Sequence, residues 1–128
     1  MNDSCKKEVI KSSKVLEIVN KLRLLGLKPS MNGTKLINKC VQHIITSQNE
    51  FYKLEDIFKE IIIIYPELNP RQIRSEIRYA LNKRDEKLSE KNFEKVFGYK
   101  YDEDIFQPKE FIDEFVYIIL ENKINLLQ

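Results

Sequence analysis

"LNPRQIRSEIRYALNKR", residues Leu68–Arg84, decides how this chain folds. Asn69 is a favoured N-cap residue, and Pro70 suits the first helical position, where a backbone N–H would go unpaired anyway. Ile73, Ile77, Ala80 and Leu81 then recur at spacings of three and four, the stripe a helix buries. The other side keeps Arg71, Arg74 and Arg78, also three and four apart, with Gln72, Ser75 and Tyr79 beside them. The pattern predicts a helix over about residues 69–83 with one apolar face and one arginine face. A charged helix face is commonly a solvated surface. A single-sign arginine row on the second of two closely joined helices is also what lies against a polyanion.

The preceding segment supplies the first of those two helices. Leu54, Ile57, Phe58, Ile61, Ile62 and Tyr65 keep helical spacing, Glu55 and Asp56 suit a first turn, and Pro66 stops the run. "IIII" at 61–64 can be read as a strand, because β-branched residues favour strands; the spacing from Leu54 onward favours helix. Only "PELN" (66–69) lies between the two, which predicts a helix-turn-helix.

Further out, Val15, Leu16, Ile18, Val19, Leu22 and Leu25 predict a helix over 14–25, stopped by Gly26 and Pro29. Leu36, Ile37, Cys40, Val41, Ile44 and Ile45 predict a second, capped by Ser30 or Asn32 and ending near 47–49. Phe93, Val96 and Phe97 make a short helix closed by Gly98. "YKYDEDIFQ" (99–107) reads as a loop, and Pro108 opens a last helix with a wide apolar face through Leu120. The expected architecture is all-α, about six helices, one domain over 14–123 containing a helix-turn-helix, after a flexible basic tail at 1–13.

Composition agrees with a small helical protein. Of 128 residues, 42% are hydrophobic and 33% charged, which supports one core and a polar surface. Three glycines and no tryptophan argue against a turn-rich β-sandwich. No apolar run is long enough to span a bilayer, and the N-terminal stretch has no signal-peptide block, so a cytoplasmic location is expected. Net charge is +2, but it is unevenly placed: residues 69–87 carry six Lys/Arg against three Asp/Glu, and residues 101–128 carry two against seven. Cys5 and Cys40 read as reduced thiols, and one histidine gives no metal-ligand set, so no metal or cofactor is expected. Cys40 and His43 are three apart on a helix but lack an orienting group. Asp102, Glu103 and Asp104 lack the glycine and ligand spacing of a calcium loop. Neither cluster predicts an enzyme, and no small-molecule substrate is expected. Phe93, Phe97, Tyr99, Tyr101 and Phe106 read as core and loop packing.

From Lys14 to Asn122 the chain resembles the C-terminal DNA-binding effector domain of the stage-zero sporulation protein A family. The landmarks, in order, are "LRLLGLKPSMNGTKLI" (22–37), "FKEIIIIYPE" (58–67), "NPRQIRSEIRYAL" (69–81), "VFGYKY" (96–101) and "QPKEFIDEFVYII" (107–119). The resemblance implies a six-helix fold, a recognition helix at 69–81, sequence-specific binding to duplex DNA, and a dimer in which the last helix (108–120) takes part. Carried over by position, the family's DNA contacts fall on Gln72, Arg74, Ser75, Arg78 and Tyr79. Only Arg78 keeps the family's residue. Arg74 and Ser75 stand where the family has an acidic residue followed by arginine, and Tyr79 stands where it has histidine. Exchanging a carboxylate for a guanidinium replaces an acceptor with donors, so a target box different from the family's is expected. The thirteen residues before helix one leave no room for the family's phosphorylatable receiver, so switching by phosphorylation is not expected.

The resulting expectation is a transcriptional regulator. Gln72, Arg74 and Ser75 read bases. Arg71, Arg78 and Lys83 or Arg84 hold phosphates, and Tyr79 lies beside them. The alternative is a protein-interaction module that has lost DNA recognition and pairs, as inhibitor or heterodimer partner, with a full-length sporulation regulator through 108–120.

Overall fold

A computed structural model describes the backbone of residues 2–47 and 51–127, and the side chains of residues 13–47 and 51–121. The described residues form six α-helices and no strand: α1 (Asn2–Leu24), α2 (Asn32–Ser47), α3 (Leu54–Ile64), α4 (Pro70–Asn82), α5 (Glu86–Phe97) and α6 (Pro108–Leu127). A short 3-10 turn at Glu103–Ile105 precedes α6. The all-α, six-helix expectation therefore holds. None of these helices is long and apolar enough to cross a membrane.

α4 forms as its sequence dictates. The Asn69 side chain accepts from the Gln72 amide at 2.9 Å, and the Gln72 side chain accepts from the Asn69 amide at 2.9 Å, a reciprocal capping box ahead of Pro70. Ile73, Ile77, Ala80 and Leu81 are fully buried. Burial of each large aliphatic side chain contributes about 2 kcal/mol. α4 packs most extensively on α2. The two approach closely at Gly33, which has no side chain to hold them apart.

α1 begins earlier than the apolar stripe predicts. Residues 2–13 contain neither glycine nor proline, so nothing in them stops the helix, yet only Cys5, Val9 and Ile10 are apolar. The expected tail at 1–13 is thus helical backbone from Asn2. At its other end α1 closes in a Schellman motif. Gly26 adopts φ 91°, its amide bonds to Arg23 O at 2.9 Å, and the Leu27 amide bonds to Leu22 O at 3.0 Å.

α5 also starts earlier than expected. Asp85 caps it, accepting from the Lys87 and Leu88 amides at 3.1 and 3.3 Å. α5 is locked to the end of α1: Asn92 Nδ2 donates to Leu24 O at 2.8 Å, Ser89 Oγ to Leu25 O, and the Asp85 amide to Gly26 O at 2.9 Å. These bonds satisfy carbonyls that the end of a helix leaves open. Phe93 is the hub of the aromatic group. Its ring centroid lies 4.7 Å from Phe97, 5.3 Å from Tyr101, 5.5 Å from Tyr99 and 5.9 Å from Phe106.

The "IIII" segment is helix. Ile61 is buried, Ile62 is half-buried, and Ile63 and Ile64 at the end of α3 are 80% and 60% exposed. The second helix ends at Ser47, and the rest of its expected end, 48–49, lies outside the described residues.

Candidate nucleic-acid interface

Arg71, Gln72, Ser75, Arg78, Tyr79 and Lys83 are all exposed on α4 and its C-cap, opposite the buried stripe. The short linker Tyr65–Asn69 and the capping box hold the first turn of α4 at the surface. Lys83 closes the helix as its C-cap, where a cation is favoured by the helix dipole, and its Nζ lies 5.7 Å from the Tyr79 ring centroid. The two residues make one unit, an aromatic ring carrying a positive charge.

Two expected contacts sit differently. Arg84 is a correction. It is only 8% exposed and faces the core. Its Nε donates to Ser89 Oγ at 3.0 Å, its Nη1 to Leu81 O at 2.8 Å and its Nη2 to Tyr101 OH at 3.0 Å. Its guanidinium stacks on Phe106 at 3.7 Å. A side chain so engaged is a clamp between the end of α4, α5 and the loop before α6, and it has no reach to a phosphate. The sequence did contain a signal. Arg84 follows Leu81 by three and Ile77 by seven, which places it on the buried stripe rather than on the arginine row.

Arg74 is the second. It holds its place in the row but is turned toward α3, where its Nη2 pairs with Glu55 Oε1 and its guanidinium lies 5.5 Å from the Phe58 ring centroid. Its side chain is 33% exposed. Of the three arginines, Arg71 and Arg78 face solvent while the middle one is paired with a carboxylate of α3. Glu55 is nineteen residues away in sequence, and no local pattern announces the pair.

No protein-family model matches the chain, and comparisons with curated proteins and with solved structures return no significant match.

The helix start offers less to an anion than a bare N-terminus would, because the Asn69 side chain occupies the Gln72 amide. The Gln72 carbonyl oxygen is likewise used by the Asn69 amide, leaving the NH2 group of Gln72 as its outward donor.

Other chemistry-bearing residues are engaged elsewhere. Cys40 is fully buried, and burial pushes its thiol up to about 12, so it is protonated across the neutral range. His43 on α2 pairs with Glu60 on α3. An open depression of about 440 Å³ is lined by Phe51, Tyr52, Lys53 and Asp113. There the Tyr52 hydroxyl donates to Asp113, whose other oxygen accepts from Lys109 Nζ at 3.3 Å.

Proposed function

We propose that this chain binds duplex DNA through α4 as a small transcriptional regulator of the helix-turn-helix type, with α3 and α4 as the two helices. The observation that carries the reading is the exposed face of α4. Three outward cations, Arg71, Arg78 and Lys83, stand with Gln72, Ser75 and Tyr79, and all six are exposed among the described residues. Arginine and lysine hold phosphates. Serine donates to and accepts from base edges in a major groove, the NH2 group of Gln72 donates to them, and an exposed tyrosine lies against sugar or base. The resemblance of 14–122 to the sporulation-regulator effector domain points the same way and supplies a sporulation setting. With Arg74 and Tyr79 at altered positions, the target sequence differs from that family's box.

The test is a titration against random-sequence duplex over a range of salt. Each phosphate neutralised contributes about −0.9 to the slope of log affinity against log salt. The three outward cations Arg71, Arg78 and Lys83 therefore give a slope near −3, to which the buried Arg84 adds nothing. A flat line, or no retarded complex at low salt, removes the reading. Selection from a random oligonucleotide pool then identifies the box.

One observation favours a second reading. Tyr117 and Leu120 on α6 are 64% and 37% exposed, an outward apolar edge on a helix that also closes the core. A module that pairs through α6 with a full-length regulator, and inhibits it, uses that edge. Co-purification of a stable heterodimer without a retarded DNA band supports this reading over the first.

A further inference from the structure

The Glu55–Arg74 pair joins the first turn of α3 to the middle of the face through which DNA binding is proposed. We propose that Glu55 is an affinity filter for that face: it holds Arg74 back from phosphate, and DNA gains the Arg74 contact only by displacing it. The inference rests on the DNA-binding reading and adds a residue from outside α4 to it.

The geometry supports the filter in three ways. Arg74 lies between Arg71 and Arg78, at spacings of three and four, so its charge is the one best placed to reinforce both neighbours. It is paired, while those two point to solvent. Its guanidinium also rests near Phe58, a ring whose side chain is fully buried, so the paired position is defined by packing as well as by charge. Glu55 itself is 54% exposed. A pair this accessible is weak in water, and a phosphate, which offers a guanidinium the same bidentate acceptor geometry as a carboxylate, can exchange with it. Exchange leaves the Glu55 carboxylate near the duplex with its partner gone. In most registers a duplex gives that carboxylate phosphates or base acceptors to face, whereas a site that presents a cytosine N4 amino group beside it offers a donor. Glu55 thus lowers affinity for DNA in general more than for such a site.

The experiment compares wild type, Glu55→Gln, Arg74→Gln and the double variant, each titrated with random-sequence duplex over a salt series. Folding is checked by thermal unfolding; Asp56 still places a carboxylate in the first turn of α3. Glu55→Gln is expected to bind random duplex about 3- to 10-fold more tightly at low salt, with a slope steeper by about 1. In the Arg74→Gln background the same substitution is expected to change affinity by less than about twofold. That difference separates release of Arg74 from simple loss of a negative charge. Equal affinity and slope for wild type and Glu55→Gln overturn the filter while leaving DNA binding in place. An undiminished gain in the Arg74→Gln background, or weaker binding by Glu55→Gln, overturns it also. If neither wild type nor Glu55→Gln binds, the DNA-binding reading falls and takes the filter with it.

Discussion

Gly33 on α2 lies against the main-chain carbonyl of Glu76 on α4: a Cβ placed on Gly33 falls 1.9 Å from that oxygen and 2.7 Å from Ala80 Cβ. Two helices can come this close only where one of them lacks a side chain, and the contact fixes how far α4 stands from the core. The same contact orients the opposite side of α4, where Arg71 and Arg78 face solvent.

Gly33→Ala tests this contact through its sign. Within an unconstrained helix the change gains about 0.5–1 kcal/mol, because alanine loses less backbone freedom on folding. Here the obstacle is backbone, which cannot rotate aside, so α2 and α4 must separate. Urea denaturation is expected to show a loss of about 3 kcal/mol, in the range for overpacking a tight interior. A stabilised variant contradicts the close approach.

Arg84 and Lys83 are adjacent and both basic, and the structure places them oppositely, Arg84 buried and Lys83 exposed. Arg84→Ala removes a stacked guanidinium and three hydrogen bonds, and is expected to cost on the order of 3 kcal/mol of stability. Affinity per folded molecule for duplex DNA stays within about twofold. Lys83→Ala is expected to change stability by less than about 0.5 kcal/mol, to weaken binding to all sequences alike and to make the salt slope shallower by about 1. Thermal unfolding and salt-series titration of both variants separate the two; a stable Arg84→Ala that binds poorly reverses the assignment.

Cys40 makes stability pH-dependent at the alkaline end. Burial raises its thiol from 9.0 to about 12, so above pH 9 the unfolded chain loses a proton that the folded chain keeps. A raised folded-state value means the contribution is complete below pH 9 and is lost as pH climbs toward 12. The slope is about 1.4 kcal/mol per pH unit once the unfolded thiol is ionised. Tyr99, pushed up to about 12 by burial and then by Glu114, adds to the fall only above pH 10. Urea midpoints in a Cys5→Ser background at pH 8, 9 and 10 are expected to decline. Adding Cys40→Ala should flatten the decline between pH 9 and 10, whatever it costs in overall stability.

Much of α4 is legible in local sequence. Its cap, its proline, its buried stripe and its outward row follow from single residues and their spacing, because capping and helical periodicity act over three or four positions. Asp85 could have been read the same way, as the N-cap that starts α5, but it sits in a charged stretch that masks it. The full length of α1 was not legible, because residues 2–13 carry no apolar stripe to declare it. The exposure of Ile63 and Ile64 was legible, because the helical spacing that takes in Ile61, Ile62 and Tyr65 leaves those two off the covered stripe.

By itself, the sequence determined an all-helical chain, the faces of its helices and an arginine row on the fourth, because backbone propensity and amphipathic spacing are local. Tertiary structure alone decided which charges in that region stay free. Glu55 reaches Arg74 from nineteen residues away, and Tyr101 reaches Arg84 from seventeen. A charge is spent or available according to what surrounds it in space, and those surroundings exist only once the helices have packed.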